Sequence, residues 1–116
     1  TYSCAGHNPP ILCTLGTCDP LDCLKAPGLG IRNHEYADQR IVLKRNDTLF
    51  MYTDGVTEAQ NKNGELYGMD RLLSIVQSSD NPENMITAVL EDVSVFTGGS
   101  EHPDDMTMLA VRYTGE

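Results

Sequence analysis

The stretch TLFMYTDGVTEA, residues 48–59, decides how the rest of the sequence is interpreted. Its first half is apolar and rich in β-forming residues, which indicates a core strand. The strand stops abruptly at Asp54-Gly55, and a second acidic residue, Glu58, follows four positions after Asp54. Two interpretations are open from these residues alone. Asp-Gly is a common turn dipeptide, and a carboxylate at the end of a core strand is also a suitable metal ligand.

Two amphipathic helices are predicted after this stretch. Apolar residues recur at i, i+3, i+4 and i+7 over residues 69–76, which is the spacing of one helix face. The second helix is predicted to begin after Asn81, a suitable cap, with Pro82 in the first helical position. It should end at the glycine pair 98–99. Its predicted apolar stripe comprises Ile86, Val89, Leu90, Val93 and Phe96 or Val95.

Strands are predicted before and after these helices in the sequence. Residues 40–44 and 48–53 should pair as a hairpin, because residues 45–47 have turn composition. Residues 18–30 are interrupted by Pro and Gly and are expected to be irregular. An acidic loop at residues 100–105 precedes the last strand. The candidate strands cover residues 1–6, 11–15, 40–44, 48–53 and 106–113.

The apolar strands predict a layered α+β fold. Neither residues 49–53 nor residues 106–111 alternate cleanly between apolar and polar, so each strand should be covered on both faces. Two helices cannot supply both covers. We therefore expect sheet packed on sheet with the helices outside, and we expect this chain to hold only part of those layers.

The acidic residues can be placed on this frame. Asp54 follows one core strand, whereas Asp104 and Asp105 precede the last strand. The end of one antiparallel strand lies beside the start of its neighbour, so Asp54 and Asp104 should meet at one rim of the sheet. Two adjacent carboxylates repel unless a cation lies between them. Mg²⁺ or Mn²⁺ would suit such oxygen ligands, although a turn and a solvated loop explain the same residues equally well.

Composition excludes some classes of function. The 116 residues carry a formal net charge of −9, and they lack the clustered Lys and Arg that a nucleic-acid partner requires. No apolar run is long enough to span a bilayer, so no membrane insertion is expected from this segment. The acidic balance does suit cation binding.

The four cysteines are Cys4, Cys13, Cys18 and Cys23. None of them forms a C-x-x-C pair, and no His-x-x-x-His partner accompanies them, which disfavours a zinc site. We expect reduced cysteines that act as small hydrophobic residues in a cytoplasmic protein. A disulfide among them is an open alternative without support from the sequence.

Five ordered segments carry a family resemblance. Residues 52–59, 64–68 and 104–109 resemble the late motifs of the metal-dependent PPM-type serine/threonine phosphatases, and most closely those of the SpoIIE-type branch. Residues 5–10 and 28–31 are similar to earlier segments of that branch, in the expected order. No single segment is specific, but their order and spacing are, and together they span nearly the whole chain.

The resemblance implies a fold and a chemistry. The fold would be an α/β-β/α sandwich of antiparallel sheets, with two helices of this chain packed outside. The chemistry would be hydrolysis of phosphoserine or phosphothreonine by a water held between two Mn²⁺ or Mg²⁺ ions, without a protein nucleophile. The resemblance places residues 61–67 beside the site or a substrate channel, although a surface loop is the simpler interpretation.

The resemblance also assigns roles to single residues. Asp54 and Asp104 match late metal ligands of the family, and Asp105 has a supporting or alternative role. Glu58 is expected to begin a helix after the metal loop, where its charge suits the N-terminus. His7 is expected to satisfy backbone groups in its loop and not to act as a catalytic acid.

A complete SpoIIE-type domain is about twice this length, so residues 1–116 are interpreted as the C-terminal portion of one phosphatase domain whose N-terminal half is absent. The fragment alone is expected to be inactive and to self-associate or remain partly molten. The implied substrate is a phosphoprotein, such as an anti-anti-sigma-factor-like protein in bacterial stress or sporulation signalling. The alternatives are a degenerate phosphatase-like module that binds a protein without catalysis, and a small metal- or phosphate-binding domain unrelated to phosphatases.

Overall fold

A computed structural model describes residues 1–24, 26–99 and 105–115 and confirms an α+β fold. Two of its helices pack outside the main sheet, and the third is a single turn that the sequence did not predict. None of the helices in the described ranges is long and apolar enough to cross a membrane. In chain order, the elements are β1 (Tyr2–Ser3), β2 (Ile11–Thr14), β3 (Thr17–Pro20), β4 (Asp38–Gln39), β5 (Thr48–Tyr52), α1 (Asp54–Thr57), α2 (Met69–Gln77), α3 (Pro82–Thr97) and β6 (Met108–Arg112).

The central strand of the molecule is β5. It lies in a four-stranded antiparallel sheet of order β3-β2-β5-β6, and β1 and β4 form a separate two-stranded sheet. Phe50 of β5 pairs with Ile11 of β2 on one side and with Ala110 of β6 on the other. The predicted antiparallel pairing of the strand at residues 48–53 with the last strand is therefore confirmed.

The predicted hairpin between residues 40–44 and 48–53 is wrong. Residues 40–44 form no strand, because both edges of β5 are already paired, with β2 and with β6. The prediction that residues 18–30 are irregular is wrong at its start, where β3 pairs with β2. The connecting turn places Leu15 and Gly16 at φ of 48° and 79°, the left-handed geometry that a two-residue hairpin turn requires.

Helices α2 and α3 cover one face of the four-stranded sheet. Ile11 and Phe50 from the sheet are fully buried in a common core with Leu72 of α2 and Val89 of α3. The predicted cap of α3 is confirmed, since the Asn81 side chain accepts a hydrogen bond from the Asn84 amide at 2.9 Å. The predicted stripe of α3 is confirmed for Val89 and Val93, which are buried, and for Ile86 and Phe96, which pack against the core. It is wrong for Leu90 and Val95, which are exposed, and it omitted the buried Met85 and Thr97.

The opposite face of the sheet is apolar but only partly covered. Leu49 and Met51 of β5 are half-buried and share a cavity with Ile41 and Leu43. Leu109 and Val111 of β6 remain 55% and 46% exposed. The expectation that β5 and β6 are covered on both faces therefore holds for one face only among the described residues.

The expectation of reduced cysteines is wrong in this structure. Cys13 and Cys18 face each other across the β2–β3 hairpin with Cα atoms 4.1 Å apart, and they form a disulfide. A second disulfide joins Cys4 and Cys23, whose Cα atoms are 5.7 Å apart. The pairing depends on a hairpin that the sequence did not reveal. A cytoplasmic location loses its support from reduced cysteines and stays a prediction.

Asp47 is a buried carboxylate that organises the turn before β5. It is only 4% exposed, and its Oδ2 accepts a hydrogen bond from the Lys44 amide at 2.8 Å. The Tyr113 amide donates to the Asp47 carbonyl at 2.9 Å, which ties this turn to the end of β6. Hydrogen bonds from the Thr14 side chain and the Lys44 backbone hold the pKa of Asp47 below its usual value.

We expect Asp47→Ala to lower the free energy of unfolding at pH 7 by about 1–3 kcal/mol, because the partly buried Lys44 amide and the Thr14 side chain would lose their charged acceptor. Since the folded pKa is depressed, the Asp47 contribution is present above its usual value of 3.8 and is lost as the pH falls through the folded pKa. The difference in the free energy of unfolding between wild type and variant should thus become smaller as the pH falls. Urea denaturation at pH 7 and pH 3 measures it, with the exposed Asp19→Ala as control. Equal effects of the two substitutions at pH 7 would contradict the prediction.

Candidate functional site

The candidate site lies where β5 passes into α1. Thr53 is bound to the segment that enters β6, because its amide donates to the Thr107 carbonyl and its Oγ1 accepts from the Thr107 amide, both at 3.0 Å. The Thr53 hydroxyl also donates to the Asp105 carbonyl at 3.1 Å. Asp54 is the first residue of α1 and is exposed. A carboxylate is thus presented to solvent from a rigidly anchored strand end.

Gly55 is required by a close approach of two backbone segments. A Cβ atom built on Gly55 would overlap the carbonyl oxygen of Asp105 and lie 2.9 Å from its carbonyl carbon. The Asp54-Gly55 pair is therefore not a simple turn. It begins a one-turn helix that packs against the start of the last strand. Glu58 ends this helix as its C-cap, and the expectation that Glu58 begins a helix is wrong.

Two of the three predicted metal ligands lie among the described residues. Asp54 and Asp105 are brought to the same end of the paired strands β5 and β6. Asp104 lies outside the described residues. Oxygen donors of this type suit a hard cation. Within residues 1–24, 26–99 and 105–115, however, no three His, Cys, Asp or Glu side chains are grouped to hold one.

The loop that contains His7 lies apart from this rim. The Nδ1 atom of His7 is 3.1 Å from the Asn8 carbonyl oxygen, in agreement with the expected role of His7 in satisfying a backbone group. Gly6 packs so closely on Gly28 that an added Cβ would lie 2.7 Å from the Gly28 nitrogen. The loop lines a cavity of about 570 Å³ together with Arg32. Neither Asp54 nor Asp105 lines that cavity.

Residues 61–67 border α1. The Asn61 side chain accepts hydrogen bonds from the amides of Asn63 and Glu65 at 2.9 and 3.0 Å, which closes an exposed turn. The chain then returns to α1, where the Tyr67 amide donates to the Ala59 carbonyl at 2.8 Å. The loop is thus exposed at its tip and buried at its base, where Tyr67 is 4% exposed.

A polar cluster at the base of this loop was not predicted. The Tyr67 hydroxyl donates to Asp92 Oδ2 at 2.7 Å, and Arg71 Nε donates to the same oxygen at 2.8 Å. Burial raises the pKa of Tyr67, and the hydrogen bond from Arg71 lowers the pKa of Asp92. No sequence signal could have found this cluster, because its members come from a loop and two separate helices.

Comparison with solved structures shows a shared fold. The PP2C phosphatase domain of SpoIIE from Bacillus subtilis, solved with a fragment of its regulatory domain, superimposes with a TM-score of 0.73 at 23% identity, over 96% of this chain and 33% of that one. The RsbU and RsbW domains of Rv1364c from Mycobacterium tuberculosis give a TM-score of 0.72 at 24% identity, over 99% and 32%. Another structure, of the Mn-presoaked SpoIIE phosphatase domain from Bacillus subtilis, gives a TM-score of 0.68 at 20% identity. The match covers 97% of this chain and 49% of that one.

The sequence comparisons agree with this fold. Protein IcfG from Synechocystis sp. (strain ATCC 27184 / PCC 6803 / Kazusa) is 29% identical over 114 residues, which are 96% of this chain and 18% of that protein. The chain thus spans less than a fifth of this relative, and a third to a half of the solved chains described above. The model of the family Stage II sporulation protein E matches residues 1–114. The predicted resemblance is confirmed, and the chain belongs to the SpoIIE family.

Proposed function

We propose that this chain forms part of a metal-dependent protein phosphatase that hydrolyses phosphoserine or phosphothreonine. The observation that carries the proposal is the position of Asp54. It stands at the end of the central strand, beside the backbone of Asp105 at the entry to β6, in a fold shared with PP2C phosphatase domains.

In this proposal each residue at the rim has a distinct task. Asp54 and Asp104 hold metal through their carboxylates, and Asp105 is a supporting or alternative ligand. Thr53 fixes the distance between the two strand ends through its bonds to Thr107 and Asp105. Two bound Mn²⁺ or Mg²⁺ ions would supply an activated water and neutralise charge on the phosphoryl oxygens.

We further propose that the complete site draws on residues beyond these 116. The described residues group fewer than three candidate ligands, whereas a two-ion site requires more oxygen donors than that. The chain also covers only 33% of the first SpoIIE structure. Residues 1–116 would then be the C-terminal portion of one phosphatase domain, and the N-terminal half would supply the other ligands.

The proposed substrate is a phosphoprotein of sigma-factor signalling, such as an anti-anti-sigma-factor-like protein. Support comes from membership of the SpoIIE family. The chain is acidic, with a net charge of −9, and would repel a phosphorylated substrate. Bound cations reverse the field locally, so the same ions would serve both binding and hydrolysis.

The test is phosphate release from a phosphoserine peptide by this chain joined to the N-terminal half of its domain. We expect release in Mn²⁺ or Mg²⁺ and none after chelation with EDTA. The competing function is a degenerate phosphatase-like module that binds a protein partner without catalysis. Metal-independent binding of a phosphoprotein without any phosphate release would support that alternative.

The 116-residue chain alone is expected to self-associate and to lack activity. The exposed side chains of Leu109 and Val111 lie on an apolar sheet face, and burying such area stabilises association by about 25 cal/mol per Å². Mn²⁺ should bind only weakly, because most ligands are missing. Light scattering and a phosphatase assay in excess Mn²⁺ measure both properties. Leu109→Ser with Val111→Ser should shift the chain toward a monomer. A monomeric wild-type chain with metal-dependent turnover would contradict the prediction.

A further inference from the structure

Tyr67, Arg71 and Asp92 form a three-residue cluster, which we call the clasp, that joins the loop after α1 to helices α2 and α3. Both oxygens of Asp92 are engaged, since Oδ2 accepts from the Tyr67 hydroxyl at 2.7 Å and from Arg71 Nε at 2.8 Å, and Oδ1 accepts from a second Arg71 nitrogen at 3.2 Å. The Arg71 guanidinium also lies over the Tyr67 and Phe96 rings, 5.5 and 4.8 Å from their centroids. Charge, hydrogen bonding and ring contact thus fix one geometry.

Tyr67 is the member of the clasp whose position is most restricted. Its side chain is buried at 4% exposure and packs edge-to-face on Phe96, with ring centroids 5.5 Å apart. A buried hydroxyl requires a partner, and Asp92 supplies it. Arg71 in turn compensates the charge of Asp92, whose side chain is 21% exposed. Removing Asp92 would leave both the Tyr67 hydroxyl and the Arg71 guanidinium without this acceptor, whereas removing either donor would leave Asp92 with fewer hydrogen bonds.

The backbone of Tyr67 and its neighbour connects the clasp to α1. The Tyr67 amide donates to the Ala59 carbonyl at 2.8 Å, and the Gly68 amide donates to the Thr57 carbonyl at 2.9 Å. Within α1 the Glu58 amide donates to the Asp54 carbonyl, also at 2.8 Å. Hydrogen bonds linked by peptide units therefore connect the clasp to Asp54, the first residue of α1.

Helix α1 depends on such external support. It has four residues, Asp54–Thr57, and a helix of one turn is not stable by itself because nucleation is unfavourable. Val56 and Ala59 are buried at 0% and 1% exposure, which anchors one side of the turn. The hydrogen bonds from residues 67 and 68 hold its C-terminal end. The orientation of Asp54 is thus set partly from the helix layer.

We propose that Tyr67, Arg71 and Asp92 are positioning residues that hold α1, and through it Asp54, in the orientation required to bind metal. In this proposal the clasp acts on Asp54 only through α1. The role of the clasp in orienting Asp54 for metal binding rests on the proposed function. Its stabilisation of α1 does not depend on that function. Consequently, the two parts can be tested separately.

The coupling is tested by amide hydrogen exchange of the 116-residue chain. Tyr67→Phe removes only the hydroxyl, and Asp92→Asn removes the charge that Arg71 compensates. We expect either substitution to accelerate exchange of the Glu58 and Gly68 amides about tenfold, the factor that corresponds to loss of one hydrogen bond to a charged group. Amides of β5 should not change.

Two control variants separate local coupling from general destabilisation. Tyr36→Phe removes a hydroxyl that bonds to the Pro27 carbonyl, away from α1. Ile11→Val reduces the packing of a fully buried core residue in β2. Neither should change the exchange of Glu58 relative to that of β5. If Tyr67→Phe accelerates amide exchange in α1 and β5 equally, the coupling does not exist. The same conclusion follows if its exchange pattern matches that of Ile11→Val.

The purpose of the coupling is tested by repeating the exchange on this chain joined to the N-terminal half of its domain, because the chain alone should bind Mn²⁺ only weakly. Exchange in millimolar Mn²⁺ is compared with exchange in NaCl of equal ionic strength. In the wild-type chain Mn²⁺ should slow exchange of the α1 amides, and in Tyr67→Phe about tenfold more Mn²⁺ should be needed for the same protection. Wild-type α1 that is insensitive to Mn²⁺ would count against the metal site of the proposed function and against this purpose of the clasp, while the metal-free exchange still decides the coupling. An unchanged Mn²⁺ requirement in Tyr67→Phe would overturn the positioning role.

Discussion

Replacing Asp54 with Asn is expected to reduce Mn²⁺-dependent phosphatase activity of the complete domain by about a hundredfold or more, because the proposed metal site would lose a negative ligand and its nucleophile would be a metal-activated water. The fold should persist. Asp54 is exposed, and the hydrogen bond that it makes within α1 uses its backbone carbonyl. Phosphate release across a Mn²⁺ titration, with a thermal melt of each variant, measures both effects.

The adjacent aspartates provide an internal comparison for this prediction. Asp104→Asn should resemble Asp54→Asn, whereas Asp105→Asn should have a smaller effect, since the contact of Asp105 with Thr53 is made by its backbone carbonyl. Asp70→Asn, an exposed residue in the first turn of α2, is the matched control and should retain full activity. Near-normal activity of Asp54→Asn would mean that the ligand had been misassigned.

Replacing Gly55 with Ala is expected to have the second largest effect. The added Cβ would overlap the Asp105 carbonyl oxygen, and both partners are backbone, so neither can rotate away. Either α1 or the entry to β6 must then move, which separates Asp54 from Asp105. We expect at least about a tenfold loss of activity and a loss of about 1–3 kcal/mol in the free energy of unfolding.

Activity and urea denaturation of Gly55→Ala should be compared with those of Gly28→Ala. Gly28 is a suitable control because the nearest atom to a methyl group added there would be the end of the flexible Ile31 side chain, at 3.3 Å. That side chain can move at little cost. If both alanine variants lose the same small amount of stability and keep their activity, the close approach at Gly55 has no functional importance.

Local patterns in the sequence predicted several elements correctly. The stripe at residues 69–76 and the Asn81-Pro82 start predicted α2 and α3, because helical periodicity and capping depend on residues within one turn of each other. The pairing of β5 with β6 was also predicted. The structure brings the backbone of Asp105 to the rim at which Asp54 lies. The position of Asp104 at that rim stays a prediction.

The errors concern residues that compete for the same partner. Residues 40–44 have strand composition, but β2 and β6 already occupy both edges of β5. Composition cannot reveal this competition, because pairing depends on which distant strand binds first and best. The disulfide between Cys13 and Cys18 was missed for a different reason, because their proximity exists only once the β2–β3 hairpin has formed.

The sequence by itself determined the family, the two longer helices α2 and α3, the two core strands and the carboxylate that follows β5, because these are recorded in short ordered motifs and local periodicity. Only the tertiary structure decided why Gly55 must be glycine, which cysteines pair, and how Tyr67, Arg71 and Asp92 meet. Each of these depends on atoms brought together from distant parts of the chain. Close approach of two backbones and sharing of one carboxylate by a loop and two helices are properties of packing, and packing has no local sequence period.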